Sequence, residues 1–254
     1  MSVYLVKEVI DIFRFVLVVV SLLAVILINA LANILPINGQ TTGEISNRLP
    51  VLFTPAGYVF SIWGLIYALL IIWVIGLWKI RVNRDSLFEK RSLLFIISCL
   101  FNISWIFSWH YEFFLWTIVF MIGLVITLLM LYQTYSVQNN KLTGRLPISI
   151  YLGWVSVAII ANISYVLTYY QWSGWGLSNP LWAVIMLTIG TALALHIRFH
   201  HFDIVYPLVF IWAFIGIAVQ NGFEELLVMT ASLFLSAVLL AGILFIKKRP
   251  SADK

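Results

Sequence analysis

Residues 15–28 read Phe-Val-Leu-Val-Val-Val-Ser-Leu-Leu-Ala-Val-Ile-Leu-Ile, apolar on every face of a helix and on both faces of a strand. A membrane β-barrel strand alternates apolar and polar residues over about 10 positions, and this run does not. Lipid offers no hydrogen bonds, so a crossing segment must close its own backbone, which leaves a helix. Outward from this run, the chain holds further apolar stretches of about 20 residues, the length that crosses roughly 30 Å of hydrocarbon. Eight spans are expected, at 15–35, 54–78, 92–110, 114–136, 147–170, 180–197, 204–220 and 225–246. The fold class is all-α, a polytopic transmembrane helix bundle.

The composition points the same way. Charged residues are 10% of the chain and the hydrophobic set is 63%, whereas a soluble domain carries about 25% charged residues. Apolar surface on this scale has lipid as its solvent. The single cysteine, Cys99, lies in an apolar run, so an intrachain disulfide is excluded and no metal site can be built from thiols alone.

A net charge of +5 raises the question of nucleic acid, and its distribution answers it. With eight spans the connecting segments alternate between two sides. One side carries Lys7, Arg14, Lys79, Arg81, Arg84, Lys90, Arg91, Lys141, Arg145, Arg198, Lys247, Lys248, Arg249 and Lys254; the other carries only Arg48. Cytoplasmic loops collect Lys and Arg. Both termini are therefore expected in the cytoplasm, with a basic rim that meets anionic membrane lipids, and no nucleic-acid partner is needed. This pattern, with no disulfides, fits a bacterial inner (plasma) membrane. Ala30-Leu31-Ala32 is similar to a signal-peptide cleavage site. The apolar stretch from Phe15 nevertheless exceeds the usual 7–15 or so residues, and Glu8 and Asp11 offset Lys7 and Arg14, so a retained helix is expected.

Pro36–Phe53, rich in Gly, Asn, Thr and Pro, reads as an ordered outer loop, either a binding lid or a connector. In the third span Asn102, Trp105 and Trp109 follow i, i+3, i+7 spacing and share a face; in the fifth, Trp154, Ala158, Asn162 and Tyr165 do the same. Rings to stack on, a small residue and an amide suit an apolar ligand site with a few placed polar groups. The same residue types also glue membrane helices together, and Trp109, near a helix end, also fits the headgroup belt. Asn29 and Asn33, i and i+4 on the first span, read as helix packing.

Three stretches carry a family resemblance. Phe53-Thr54-Pro55-Ala56-Gly57-Tyr58-Val59-Phe60-Ser61-Ile62-Trp63 resembles the start of the second helix in the TspO/MBR family, the tryptophan-rich sensory proteins related to the translocator protein. Phe101-Asn102-Ile103-Ser104-Trp105 is similar to that family's Leu-Asn-x-x-Trp in its third helix. Tyr151-Leu152-Gly153-Trp154-Val155-Ser156, with Ala158 and Asn162, is similar to its fifth. Phe53 and Ala56 stand where the family usually has the Trp and second Pro of Trp-x-Pro-Pro, and the Gly-to-Trp interval is one residue shorter.

The resemblance covers about residues 15–170. It implies a five-helix core over 1–170; the three further transmembrane helices read from the apolar runs, with a short basic cytoplasmic tail, make up 171–254 and follow where that family normally stops. It also implies a pocket inside the five-helix bundle, covered by the first loop, that takes porphyrin-like or other amphipathic apolar molecules. On that reading Trp63, Asn102, Trp105, Trp154, Ala158 and Asn162 contact the ligand, and the protein senses or transports it. No cofactor is required; porphyrin or haem would be a ligand. Small-residue faces allow a homodimer.

Other features narrow the chemistry. No charged residue lies near the middle of a span, which argues against an ion-driven pump. His196 and His200, i and i+4 beside Arg198, read as a solvated interfacial cluster rather than a metal or haem site. Glu224 and Glu225 suit the N-terminus of the last helix. No phosphate loop, nucleophile elbow or metalloprotease spacing occurs, so a binder is expected rather than an enzyme. The alternatives are light-dependent porphyrin degradation, with Trp63, Trp105 and Trp154 as electron donors, and a membrane scaffold or partner subunit docking through the last three helices.

Overall fold

The computed structural model describes residues 2–82 and 87–247. Arg84, Lys248, Arg249 and Lys254, assigned above to the cytoplasmic side, lie outside the described residues. Among the described residues there are nine α-helices: α1 (Ser2–Ile34), α2 (Thr42–Asn47), α3 (Ile62–Val82), α4 (Leu87–His110), α5 (Phe114–Tyr132), α6 (Arg145–Tyr169), α7 (Asn179–His201), α8 (Val205–Asn221) and α9 (Leu226–Phe245). Seven of the segments are long and apolar enough to cross a membrane. The protein is a multi-pass membrane protein. The outward faces agree, since Val20, Leu23 and Leu27 on α1, Ile71 and Ile75 on α3, and Leu240 on α9 are all exposed, an arrangement that lipid stabilises and water does not.

The span expected at 204–220 is α8, a shorter apolar helix of 17 residues, at the lower end of the roughly 17–25 residues that cross a bilayer. Two other expectations are corrected. The first helix begins at Ser2 rather than near Phe15, because charged residues do not end a helix. Arg14 pairs there with Asp11 one turn away at 3.3 Å and with Glu89 of α4. The second span, read from 54, is α-helical only from Ile62; Pro55 precedes a 3-10 turn at Gly57–Ser61.

The chain forms two compact units. Unit 1 comprises Met1–Pro50 and Ser61–Val155. In it α4 packs on α5 and α1 packs on α4. The α4–α5 turn closes with Phe113 N–H donating to Ser108 O at 2.8 Å, and Glu112 takes the left-handed conformation (φ 61°) usually given to glycine. Near the other end of α4, Arg91 donates to the Thr134 hydroxyl and carbonyl at 3.0 and 2.8 Å and lies 3.9 Å from the Tyr135 ring centroid. Tyr135 in turn accepts from Trp73 Nε1 at 2.7 Å.

Unit 2 comprises Val51–Phe60 and Ser156–Lys254. Here α7, α8 and α9 pack on one another. Tyr206 of α8 donates to Ser156 of α6 at 2.8 Å. Arg198, on the last turn of α7, donates to the carbonyls of Ile243 and Ile246, so a cation satisfies the orphan acceptors where α9 ends.

Residues 51–60 are held against α8 largely by main-chain groups. Ala56 N–H donates to Gly216 O at 3.1 Å, Trp212 Nε1 to Val59 O at 3.1 Å, and Asn221 Nδ2 to Leu52 O at 2.9 Å. Gly216 permits the approach, because a Cβ there would lie 2.1 Å from Val59 Cγ2.

The expected basic rim is thinner than the sequence reading implied. Arg91, Arg145 and Arg198 are buried. The planar guanidinium stacks on tyrosine and reaches carbonyls at helix ends, so these three brace the bundle instead of facing lipid headgroups.

Candidate ligand site

The site is described within unit 1 and starts from helical spacing. Trp63 and Tyr67, i and i+4 on α3, share a face and stack with ring centroids 5.6 Å apart. Tyr151 and Trp154, i and i+3 on α6, meet Trp63 edge-on at 6.0 and 6.2 Å. Such edge-to-face contacts are favoured by the ring quadrupoles. Four rings from two helices therefore form one aromatic wall.

A polar chain runs beside it. Asn29 Nδ2 donates to Asn102 Oδ1 at 2.9 Å, and Asn102 Nδ2 donates to the Tyr151 hydroxyl at 3.0 Å. Both asparagines are buried. The chain links α1, α4 and α6, so Asn102 is helix glue as well as a candidate ligand contact. Asn33 stays on its own helix, donating to Asn29 O at 2.8 Å.

The Tyr67 hydroxyl is the exception to this satisfaction. Its oxygen is buried and, among the described residues, no protein group accepts from or donates to it. A polar group left unpaired in an apolar interior costs on the order of 1–3 kcal/mol.

Further along α4, Trp105 stacks on Trp109 at 5.6 Å. Trp109 is buried rather than placed in a headgroup belt, and its indole N–H points to Thr42 O at 3.4 Å. The 36–50 loop is fastened to this end of α4. His110, also buried, has Nδ1 3.0 Å from Ile37 O and Nε2 3.0 Å from Thr42 Oγ1. Carbonyl oxygen only accepts, so Nδ1 carries a hydrogen.

Asn38 Nδ2 donates to His110 O at 3.0 Å, and Arg48 pairs with Glu112 at 2.7 Å. Inside the loop, Thr41 and Glu44 form a reciprocal capping box on α2. The Thr41 N–H beside Glu44 holds its carboxyl below the usual carboxylate range.

Of the residues expected to contact ligand, Trp63, Asn102, Trp105 and Trp154 belong to unit 1. Ala158, half-buried, and Asn162, buried, lie on the part of α6 that belongs to unit 2. Tyr67 and His110 were missed by sequence reasoning, and Tyr151 was read only as part of a motif. The i, i+4 spacing of Tyr67 from Trp63 was the available signal. His196 and His200 lie with ring centroids 4.2 Å apart, and His200 Nδ1 is 3.0 Å from His196 O.

A family model described as TSPO-like protein matches residues 15–245. The chain belongs to the TSPO-like protein family. The match runs through α9, so in this TSPO-like protein the last three helices fall within the family's extent rather than beyond it. No curated protein and no solved structure matches the chain.

Proposed function

We propose that this TSPO-like membrane protein binds porphyrin-like or other flat, amphipathic apolar molecules taken from the lipid and acts as their sensor or transporter. The observation that carries the reading is the buried, unpartnered Tyr67 hydroxyl beside the stacked Trp63 ring. A flat ligand can stack on an indole and accept from, or donate to, that hydroxyl, a combination characteristic of apolar sites with a few polar anchors. The loop fastened by His110 supports a cover at one end of α4. The excess of Lys and Arg on one set of connecting segments supports a reading in which both termini are cytoplasmic and the membrane is a bacterial inner membrane.

The test is a protoporphyrin and haem titration of the purified protein in detergent, read by Trp fluorescence. Saturable quenching, weakened by Asn102→Ala and Trp154→Phe, is expected. A linear, non-saturating response would remove the ligand reading and turn attention to a scaffold role for α7–α9.

A further inference from the structure

Between α6 and α7 the chain reads Tyr169-Tyr170-Gln171-Trp172-Ser173-Gly174-Trp175-Gly176-Leu177-Ser178, with no charged residue. Trp172, Trp175 and Trp182 form a knot with ring centroids 4.9 Å (Trp172–Trp182), 5.3 Å (Trp172–Trp175) and 5.9 Å (Trp175–Trp182) apart. The rings fill the space between them, so this is not a cage around a cation, which requires an open centre.

The knot is fixed by its backbone. Trp182 Nε1 donates to Gly174 O at 2.8 Å, and Leu177 N–H donates to Gly174 O at 3.0 Å. Gly174, Trp175 and Gly176 all have positive φ, at 63°, 53° and 81°. A side chain is disfavoured in that conformation, yet its effect is to hold Trp175 outward, 79% exposed. Tyr170 beside it is 55% exposed and meets Tyr169 edge-on. At the same end of the α7–α8 hairpin, Phe223 is 85% exposed.

We propose that this knot is an interfacial anchor, seated at the headgroup–acyl boundary of the phospholipid, with Trp175 inserted and fixing the depth of unit 2. Three observations select lipid as the occupant. The knot joins the ends of two membrane spans and so continues their lipid-facing surface. Its groups are indoles and phenols, which combine an apolar body with a polar edge and favour that layer. The segment also lacks the charges that a soluble partner's rim would meet. The proposal is independent of the ligand site in unit 1.

The full-length protein would be labelled with fluorotryptophan and placed in phosphatidylcholine nanodiscs. Its Trp175 fluorine resonance would be assigned with Trp175→Phe, and with Trp175→Tyr as a second assignment should the first disturb the spectrum. Loss of that resonance with lipid spin-labelled near the top of its acyl chain, and its survival with a water-soluble gadolinium chelate, is the expected result. Loss with the chelate alone would place the knot in water and overturn the proposal. Survival under both agents would show it covered by protein, such as a second copy, and would overturn it equally.

Discussion

Asn102 Nδ2 donates to the Tyr151 hydroxyl at 3.0 Å, joining α4 to α6, while the same side chain accepts from Asn29 of α1. Truncating Asn102 takes the amide donor from the buried Tyr151 hydroxyl and leaves Asn29 Nδ2 only its own-helix acceptor, Val25 O at 2.9 Å. Asn102→Ala is expected to lower stability in detergent by about 1–3 kcal/mol. A double-mutant cycle with Asn29→Ala should give a coupling of about 0.5–1.7 kcal/mol, the range of hydrogen bonds between membrane helices. Strict additivity would mean that the pair contributes by packing alone.

Tyr67→Phe removes a buried hydroxyl that has no hydrogen-bond partner among the described residues. Thermal stability without ligand should therefore hold or rise, by up to about 1 kcal/mol. Affinity for protoporphyrin should fall up to about tenfold, the equivalent of one hydrogen bond. A variant that binds as tightly as the native chain would take the hydroxyl out of the site.

His110→Ala removes both ring contacts that fasten the 36–50 loop to α4. Hydrogen exchange read by mass spectrometry should accelerate roughly tenfold or more across peptides from 37–48. Peptides from α5 should be unchanged. Unaltered loop exchange would show that the Arg48–Glu112 pair and Asn38 hold the loop by themselves.

Glu44 links loop order to pH. Its folded-state carboxyl is held below the usual range, chiefly by the Thr41 backbone N–H. A depressed acid stabilises the folded loop above the ordinary carboxylate pKa and loses that contribution as pH falls through its folded value. Exchange protection of α2 amides should therefore decline only on acidification below the ordinary carboxylate range, and Glu44→Gln should flatten that dependence. An identical pH profile in the variant would refute the linkage.

Gly216→Ala places a methyl 2.1 Å from Val59 Cγ2 and 3.2 Å from Pro55 Cβ. Overpacking against a stiff β-branched neighbour is expected to cost about 1–3 kcal/mol in thermal unfolding, and Val59→Ala in the same chain should recover part of it. Gly64→Ala, with nothing within 4 Å of the added Cβ, should instead stabilise by roughly 0.5–1 kcal/mol through helix propensity.

The helices were legible because apolar runs of membrane length have few other solutions. Their starts were less so. Residues 2–14 carry charges that mark where a span leaves lipid, not where a helix begins, and α1 continues through them. Residues 54–61 look like membrane-span sequence, but Pro55 and the main-chain bonds to α8 keep them out of an α-helix. The faces bearing Asn102 and Trp154 could be read from spacing. Tyr67 could not be separated from a belt tyrosine, since only the tertiary fold decides whether its hydroxyl finds a partner. Arg91, Arg145 and Arg198 misled for a related reason: charge counting assigns a side of the membrane but does not reveal that a guanidinium folds back onto carbonyls and rings.

The attachment of residues 51–60 to α8 also sets an order of events during biosynthesis. Val59 and its partner Trp212 are 153 residues apart. At ribosomal rates of about 5–20 residues per second, roughly 8–30 s separate the emergence of one from the other. Through that interval the carbonyls of Leu52 and Val59 and the amide of Ala56 have no native partner. The nascent chain must shelter them at the water–lipid boundary or in the insertion machinery until α8 arrives, so the Phe53-Thr54-Pro55-Ala56-Gly57 stretch is among the first segments made and among the last to be completed.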